Sequence, residues 1–202
     1  MIQALVDLMF PPACAGCDRL GREPFCRVCT EALVEAPTIE VAWLDVVSPA
    51  YVHGGPVADA VHRLKYGRRP DLGRSLGQVL QSSLHGADGA LIVPIPLSFR
   101  GLRRRGYNQS MELARAYGPR RVLRRIRDRG PQVGRGRSAR FANVAGAFEV
   151  IAPVEGASVV LVDDVVTTGA TLAAAAAALW RAGAREVRAV TLTVAEPGTP
   201  GA

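Results

Sequence analysis

The fold of this chain is decided by the segment VVLVDDVVTTGAT, residues 159–171. Its first four residues are apolar and predict a buried strand, and two adjacent acids, Asp163 and Asp164, follow at the end of that strand. A short Thr/Gly loop comes next, and the Ala-rich stretch 172–182 predicts a helix that stops at Gly183. This order of strand, glycine-containing turn and helix N-terminus favours the binding of an anion, because backbone N–H groups and the helix dipole both attract one.

The side chains of this segment divide into two chemical groups. Thr167, Thr168 and Thr171 add hydroxyl donors for a phosphate, whereas the carboxylates of Asp163 and Asp164 repel it. An ionised carboxylate is an acceptor that the two hydroxyls of a diol satisfy. A phosphate beside a diol describes a ribose 5-phosphate, so we expect the segment to hold that sugar. The alternative is a capped strand–turn–helix with a solvated Asp pair, which this spacing disfavours.

Hydropathy patterns in the rest of the chain predict alternating strands and helices. Strands are expected over 46–52, 90–95, 122–126, 147–151, 158–162 and 187–194, and helices over 56–66, 72–84, 109–117 and 172–182. This alternation indicates an α/β fold with a mostly parallel sheet flanked by helices, in which ligands bind beyond the carboxyl ends of the strands. A short helix is expected over 1–9 and an exposed arm, rich in Gly, Arg and Pro, over 128–144.

All four cysteines lie in one short stretch, as the paired knuckles Cys14-Ala-Gly-Cys17 and Cys26-Arg-Val-Cys29. Two such knuckles supply four thiolates to one tetrahedral ion, usually structural zinc. Two disulfides are the alternative, which a reducing cytoplasm disfavours. We therefore expect a small zinc ribbon, whose metal folds a segment too small for a core of its own.

Composition and charge place broad limits on function. The 202 residues are 49% hydrophobic and 21% charged, as in ordinary soluble α/β proteins. No apolar run approaches the roughly 20 residues that span a bilayer, and no basic region precedes the first apolar residues, so a cytoplasmic protein without a membrane span is expected. Residues 100–140 hold fourteen arginines against two acids, a net of +12 in a chain of net charge +7. This segment indicates an anionic partner, namely pyrophosphate, a nucleotide or a nucleic-acid strand, although arginine preference in a GC-rich coding sequence also explains it.

The motifs, taken in order, resemble one family. The segment 159–171 resembles the loop with which type I phosphoribosyltransferases hold 5-phosphoribosyl-1-pyrophosphate (PRPP). Besides the cysteine knuckles, the chain carries LKYG at 64–67, VPIP at 93–96, RGYNQ at 105–109 and RFANV at 140–144. The set is similar to the ComF/GntX-like family, competence-associated proteins with an N-terminal zinc ribbon and a phosphoribosyltransferase domain. One departure is Ala139 and Phe141 beside Arg140, where the family often has an acidic residue and an arginine.

The resemblance implies roles for individual residues. Asp163 and Asp164 are the expected catalytic pair, which holds the ribose hydroxyls. The 5-phosphate is expected on Val166, Thr167, Thr168, Gly169, Ala170 and Thr171, and the pyrophosphate on a loop of Leu97, Ser98, Phe99 and Arg100. Further candidate ligand contacts are Lys65, Tyr66, Arg103, Arg105, Tyr107, Asn108, Gln132 and Arg140. The expected zinc ligands are Cys14, Cys17, Cys26 and Cys29.

Several of these side chains have a structural alternative. Lys65 also reads as a helix-end cation and Asn108 as a helix N-cap. Tyr66 and Tyr107 read equally as packing residues. The three histidines, His53, His62 and His85, are scattered and are interpreted as incidental rather than catalytic.

The resemblance divides the chain into an N-terminal helix and four-cysteine zinc ribbon over 1–36, a phosphoribosyltransferase-like domain over 37–196 and a disordered tail over 197–202. It implies PRPP binding with Mg²⁺ and transfer of a phosphoribosyl group to an unidentified nitrogenous acceptor, linked to DNA uptake. Two other functions stay open: a PRPP or nucleotide sensor without turnover, and a factor that handles single-stranded DNA. Few aromatic residues interleave with the arginines along the sequence, which disfavours a stacking platform. Further expected binding partners are a protein of the competence machinery and a second copy of this chain.

Overall fold

The computed structural model describes residues 12–21, 24–84, 87–126, 146–196 and 199. The helix expected over 1–9, the arm over 128–144 with Gln132 and Arg140, and nearly all of the tail lie outside these residues. Four strands form a parallel sheet in the order β1-β6-β5-β2. They are β1 (Val47–Val52), β2 (Leu91–Pro94), β5 (Ser158–Val166) and β6 (Glu186–Val194). A separate antiparallel pair consists of β3 (Leu123–Arg125) and β4 (Phe148–Val150).

Helices connect these strands, as the alternating hydropathy pattern predicted. They are α1 (Arg27–Glu31), α2 (Gly55–Tyr66), α3 (Leu72–Val79), α4 (Gln81–Leu84), α5 (Phe99–Arg105), α6 (Gln109–Ala114), a 3-10 turn (Arg115–Tyr117) and α7 (Ala170–Arg181).

Side chains of β5 alternate between two buried clusters on the two faces of the sheet. Val160 and Val162 pack in one cluster, whose helical members include Leu64 of α2, Leu76 of α3 and Leu113 of α6. The neighbouring residues Val159 and Leu161 pack in the other, with the Ala-rich helix α7. The expected α/β fold, a mostly parallel sheet with helices on both faces, is therefore confirmed.

Two glycines bring α3 close to α6, the helix that carries a residue of the candidate site. A Cβ built on Gly73 would overlap the side chain of Glu112, and one built on Gly77 would overlap the carbonyl of Leu113. Because larger residues would push the helices apart, these glycines fix the position of α6 relative to the sheet.

The four-cysteine segment packs onto the same core instead of standing apart from it. Cys14 and Phe25 belong to the buried cluster that includes Val57 and Leu64 of α2. The Phe25 ring also meets Tyr51 of β1 edge to face, with the ring centroids 6.3 Å apart. The segment thus completes the core of the larger domain.

The structure corrects three expected boundaries. The strand expected over 158–162 continues to Val166, because β6 pairs with β5 as far as Val194. The helix expected over 72–84 divides into α3 and α4. The expected loop at 97–101 turns into a helix: Ser98 is the N-cap of α5, and its Oγ accepts the Gly101 N–H at 3.0 Å.

Candidate functional site

Asp163 and Asp164 lie near the C-terminal end of β5, inside the strand and not after it. The edge neighbour β2 pairs with β5 only as far as Val162, so β5 extends past it. On the other side Asp163 pairs with Thr191 of β6. Both acids are buried, at 9% and 4% exposure. The two carboxyl groups therefore occupy the edge of the sheet at which ligands of parallel α/β proteins bind.

The Asp163 carboxylate is held by two donors. Its Oδ1 accepts from the Ser110 hydroxyl at 2.8 Å and from the Asp164 N–H at 3.0 Å. Burial raises the pKa of Asp163 to about 7, the negative charge of Asp164 adds to this rise, and the Ser110 hydrogen bond opposes it. Near neutral pH this carboxyl group therefore accepts and releases a proton. Ser110 had no role in the sequence interpretation, because its position in α6 is 53 residues from Asp163.

Asp164 has different surroundings. Its Oδ1 accepts from the Val165 N–H at 2.8 Å, and its buried Oδ2 has no hydrogen-bond partner in the part of the chain that the structure describes. The ammonium nitrogen of Lys65 lies 3.9 Å from that oxygen, and Lys65 itself is only 8% exposed. The structure thus brings together Asp164 and the candidate contact Lys65, at the end of α2.

A histidine that sequence reasoning treated as incidental lies beside this pair. His53, which directly follows β1, is buried, and its Nδ1 lies 3.0 Å from the Thr193 hydroxyl. Burial lowers the pKa of His53, the charge of Lys65 lowers it further, and Asp164 opposes both effects. Among the described residues its Nε2 has no hydrogen-bond partner. The signal available in the sequence was its place directly after an apolar strand, where parallel sheets bind their ligands.

The Thr/Gly loop and the start of α7 form a small pocket with Asp163. Its volume is about 40 Å³, and its lining is Asp163, Val165, Val166, Thr167, Thr168, Gly169, Ala170, Thr171 and Leu172. Gly169 has a φ of +71°, and a Cβ there would lie 2.7 Å from Val41 Cγ1. Only glycine fits this turn without strain, because it lacks the clashing atom and tolerates positive φ. The α7 N-terminus and the threonine hydroxyls consequently line the same pocket as one acid.

The segment expected to hold pyrophosphate is partly helical. Leu97 and Ser98 precede α5, whereas Phe99 and Arg100 form its first turn. No residue of α5 is buried, and Phe99 is 73% exposed. The role of Leu97, Ser98, Phe99 and Arg100 toward pyrophosphate stays a prediction.

The remaining candidate contacts fall into two groups. Asn108 is an N-cap, since its Oδ1 accepts the Ser110 N–H at 3.0 Å while its Nδ2 donates to Ile95 O at 2.9 Å. The Tyr107 hydroxyl donates to Leu64 O of α2, and Tyr107 packs against the buried cluster that includes Leu64. Tyr66 is exposed, and the guanidinium carbons of Arg104 and Arg105 lie 5.6 and 5.4 Å from its ring centroid. The guanidinium carbon of Arg103 lies 5.8 Å from the Phe99 centroid.

The four cysteines converge on one point. Their sulfur atoms all lie within 4.8 Å of one another, in an arrangement that suits a closed tetrahedral site. Burial alone raises the pKa of Cys14, but the N–H groups of Cys26, Cys17 and Gly16 more than offset it and lower the pKa to about 6. Burial raises the pKa of Cys29. Four converging thiols fit zinc, and Cys14, Cys17, Cys26 and Cys29 would hold it.

Comparison with known domain families matches residues 99–199 to the phosphoribosyl transferase domain. The chain belongs to the phosphoribosyl transferase domain family. With the convergent cysteines, this membership agrees with the ComF-like resemblance of the motifs, so the recognition of a ComF-like protein with a four-cysteine ribbon is confirmed.

Curated relatives of this phosphoribosyl transferase domain protein are named for the use of DNA. DNA utilization protein YhgH of Salmonella typhi is 35% identical over an alignment of 147 residues, which covers 66% of this chain and 65% of the relative. The protein of the same name from Escherichia coli strain K12 is 33% identical, and its alignment also covers 66% of this chain and 65% of the relative. The match thus spans less than two thirds of the length of these relatives.

Among solved structures, TT1426 from Thermus thermophilus is 20% identical, over 63% of this chain and 84% of that one, at a TM-score of 0.36. In the part of the chain that the structure describes, no helix has the length and apolar character needed to cross a membrane.

Proposed function

We propose that this protein binds PRPP at residues 163–171 and transfers its phosphoribosyl group to a nitrogenous acceptor. The observation that carries the proposal is the pocket that Asp163 shares with the Thr/Gly loop and the N-terminus of α7. Threonines, a helix N-terminus and a carboxyl group line it together, and these are the kinds of partner that a phosphate and a diol require.

Each group then has a distinct task. The 5-phosphate accepts hydrogen bonds from the loop N–H groups and from Thr167, Thr168 and Thr171 at the positive end of α7. The ribose hydroxyls donate to Asp163 and Asp164. Lys65, 3.9 Å from Asp164 Oδ2, supplies the opposite charge that a buried carboxylate requires. Asp163 and Asp164 supply the oxygen donors that Mg²⁺ prefers and would hold it, and the ion would there offset the charge of pyrophosphate.

The transfer exchanges one bond at the anomeric carbon for another. The bond from C1 to the pyrophosphate oxygen breaks, and its electron pair leaves with pyrophosphate. A lone pair of the acceptor nitrogen forms the new bond to C1, and the N–H proton of the acceptor passes to solvent. The protein positions the sugar and surrounds the positive charge that develops at C1 with fixed carboxylates.

Calorimetry with PRPP and Mg²⁺ tests the binding step. We expect Asp163→Asn and Asp164→Asn to weaken binding at least tenfold, the usual effect of losing a hydrogen bond to a charged group. The matched control is Asp88→Asn, at an exposed turn position away from the pocket. PRPP affinity that is unchanged in both variants would contradict the proposal.

Pyrophosphate release separates a transferase from a sensor. A transferase releases pyrophosphate from PRPP when the correct acceptor is present, and a panel of purine and pyrimidine bases is the first set of acceptors to try. A PRPP sensor that lacks turnover binds with the same dependence on Asp163 and Asp164 but releases none with any acceptor.

A second candidate function, the handling of single-stranded DNA, is favoured by the surface of α5. Its four arginines, Arg100, Arg103, Arg104 and Arg105, form no ion pair with a described residue. Two exposed rings, Phe99 and Tyr66, lie among them. Tyr66 is 33 residues from Phe99 along the chain, so the sequence concealed this grouping. Basic groups that follow a backbone and rings that stack on bases are the usual means of binding single strands.

Fluorescence anisotropy with a labelled oligo-dT strand, in a salt series, tests this candidate. Arg104→Ala should reduce the slope of log affinity against log salt by about 0.7, the value for one phosphate contact in a single strand. Phe99→Ala should weaken binding without changing that slope. Arg27→Ala is the control, since Arg27 is an exposed arginine that pairs with Glu31 in α1. Equal effects of Arg27→Ala and Arg104→Ala would show nonspecific charge attraction only.

A further inference from the structure

Helix α2 lies between the cysteine cluster and the candidate PRPP site. On the cysteine side, Arg63 Nη1 donates to Ala15 O at 3.1 Å and lies 3.3 Å from Asp18 Oδ2. Ala15 is inside the first knuckle, and Asp18 immediately follows it. Arg69, just beyond the end of α2, adds a contact of 3.4 Å to the other oxygen of Asp18. The knuckle is thus tied to the C-terminal part of the helix.

The same knuckle also contacts the start of α2. A Cβ on Gly16 would lie 2.8 Å from Pro56 Cβ, so the backbone at Gly16 touches the first turn of the helix. Between these two points, Cys14 and Ala15 pack in one buried cluster with Val57 and Val61. The knuckle therefore supports α2 along most of its length.

Lys65, two residues after Arg63 in α2, contacts the candidate PRPP site. Its ammonium nitrogen is buried and lies 3.9 Å from Asp164 Oδ2. A lysine stem is flexible in solvent, but the Lys65 side chain is almost fully buried, so its packed surroundings confine the stem and its charge follows the backbone that carries it. The Gly67 N–H caps the helix on Arg63 O at 2.8 Å, which joins the anchor residue to the helix end that carries Lys65.

We propose that Arg63 is a positioning residue through which the metal-bound ribbon holds Lys65 against Asp164, so that metal binding and PRPP binding stabilise one another. The inference rests on the proposed PRPP function. It concerns residues that do not touch the ligand: Arg63 acts on Asp164 only through α2 and Lys65. Coupling of this kind is reciprocal, so PRPP must raise the affinity for metal by the same factor by which metal raises the affinity for PRPP.

The first arm of the test measures PRPP affinity by calorimetry before and after zinc is removed with a zinc-selective chelator, with Mg²⁺ held constant. We expect removal to weaken binding about tenfold, within the usual range of coupling between two sites. The second arm measures the affinity of the protein for zinc by competition with a coloured chelator, with and without PRPP. PRPP should raise that affinity by the same factor.

Variants distinguish positioning from general support. Arg63→Ala, with zinc still bound, should weaken PRPP binding by a similar factor and abolish the linkage, whereas Arg63→Lys, which keeps a charge near Asp18, should restore part of both. Lys65→Met should bind zinc normally but show no effect of PRPP on zinc affinity. Arg27→Ala, in the ribbon but paired with Glu31 of its own helix, should behave as wild type.

The outcomes separate the two proposals. If the wild-type protein with zinc does not bind PRPP, the proposed function fails and the linkage fails with it. If PRPP binds with an affinity that neither zinc removal nor Arg63→Ala changes, the linkage alone is refuted. Should the metal-free protein unfold, the zinc-loaded Arg63→Ala variant decides, and unchanged PRPP affinity in that variant overturns the inference.

Discussion

Lys65 Nζ lies 3.9 Å from Asp164 Oδ2, and both side chains are buried. Lys65 is the only lysine of the chain, and its sequence alternatives were a helix-end cation and a ligand contact. A helix-end cation points to solvent, whereas this ammonium group is almost fully removed from it. A buried charge is unfavourable without an oppositely charged partner. Neither Lys65 nor Asp164 can therefore be neutralised alone without destabilising the fold.

Removal of one charge from this pair should destabilise the protein strongly. Lys65→Met leaves Asp164 buried without a counter-charge, and we expect a loss of about 3–5 kcal/mol in the free energy of unfolding, measured with urea. Asp164→Asn in the same chain should recover much of this loss, because no charge then remains unpaired. Additive effects in the double variant would show that the two side chains do not interact.

The titration of Asp163 should make stability depend on pH. Its pKa is raised to about 7 in the folded protein from 3.8, so the folded state holds a proton that the unfolded state has lost between these values. Stability must therefore fall as pH rises through this window, by up to about 1.4 kcal/mol per pH unit. Asp163→Asn removes the effect, so its melting temperature relative to wild type should increase from pH 4.5 to pH 8.

A second variant identifies the cause of that titration. The Ser110 hydrogen bond favours the ionised form of Asp163, so Ser110→Ala should raise the pKa further and extend the fall in stability to higher pH. A melting-temperature difference between wild type and Asp163→Asn that is constant across pH would rule out a buried, titrating Asp163.

Gly169 should tolerate no side chain. Gly169→Ala combines a positive φ, which costs about 1–2 kcal/mol in a non-glycine residue, with an overlap against Val41, which costs about 1–3 kcal/mol. Val41→Ala in the same chain should relieve the overlap alone. Gly156→Ala is the matched control, because Gly156 has a φ of +68° and nothing lies within 4 Å of the position that its Cβ would take. Equal losses of unfolding free energy at Gly169 and Gly156 would contradict the contact with Val41.

Most of the fold was predictable because its signals are local. The apolar strands over 46–52 and 187–194, the helix over 56–66 with its glycine stop, and the alternation of the two kinds of element all appear in the structure within a residue or two. The extension of β5 to Val166 was not predictable, because it depends on how far β6 continues beside it. Asp163 and Asp164 are polar, so from the sequence alone they indicate the end of the strand, although the pairing with β6 continues past them.

The site was predictable only where its residues are contiguous. The loop 163–171 brings its own acids, glycine and threonines together, so its sequence displays the whole pattern. Ser110 reaches Asp163 from α6, and nothing in its local sequence marks it. His53 contacts Thr193 from the residue after β1, and only its place behind an apolar strand could have marked it. The grouping of Tyr66 with the arginines of α5 depends on tertiary packing in the same way.

The ribbon and the sheet should unfold together. Cys14, Phe25 and Cys29 share a buried cluster with α2 and with Val160 of the central strand, so loss of the metal exposes part of the main core. The two tryptophans of the chain report on the opposite side of the molecule, where Trp180 of α7 donates to Trp43 O at 2.8 Å.

Chelation of zinc should lower the melting temperature recorded by tryptophan fluorescence by about 5 °C or more, since each 1 kcal/mol shifts it by about 2–4 °C in a chain of this size. Excess zinc added with the chelator is the control and should leave the transition in place. An unchanged tryptophan transition in zinc-free protein would show that the ribbon folds independently of the sheet.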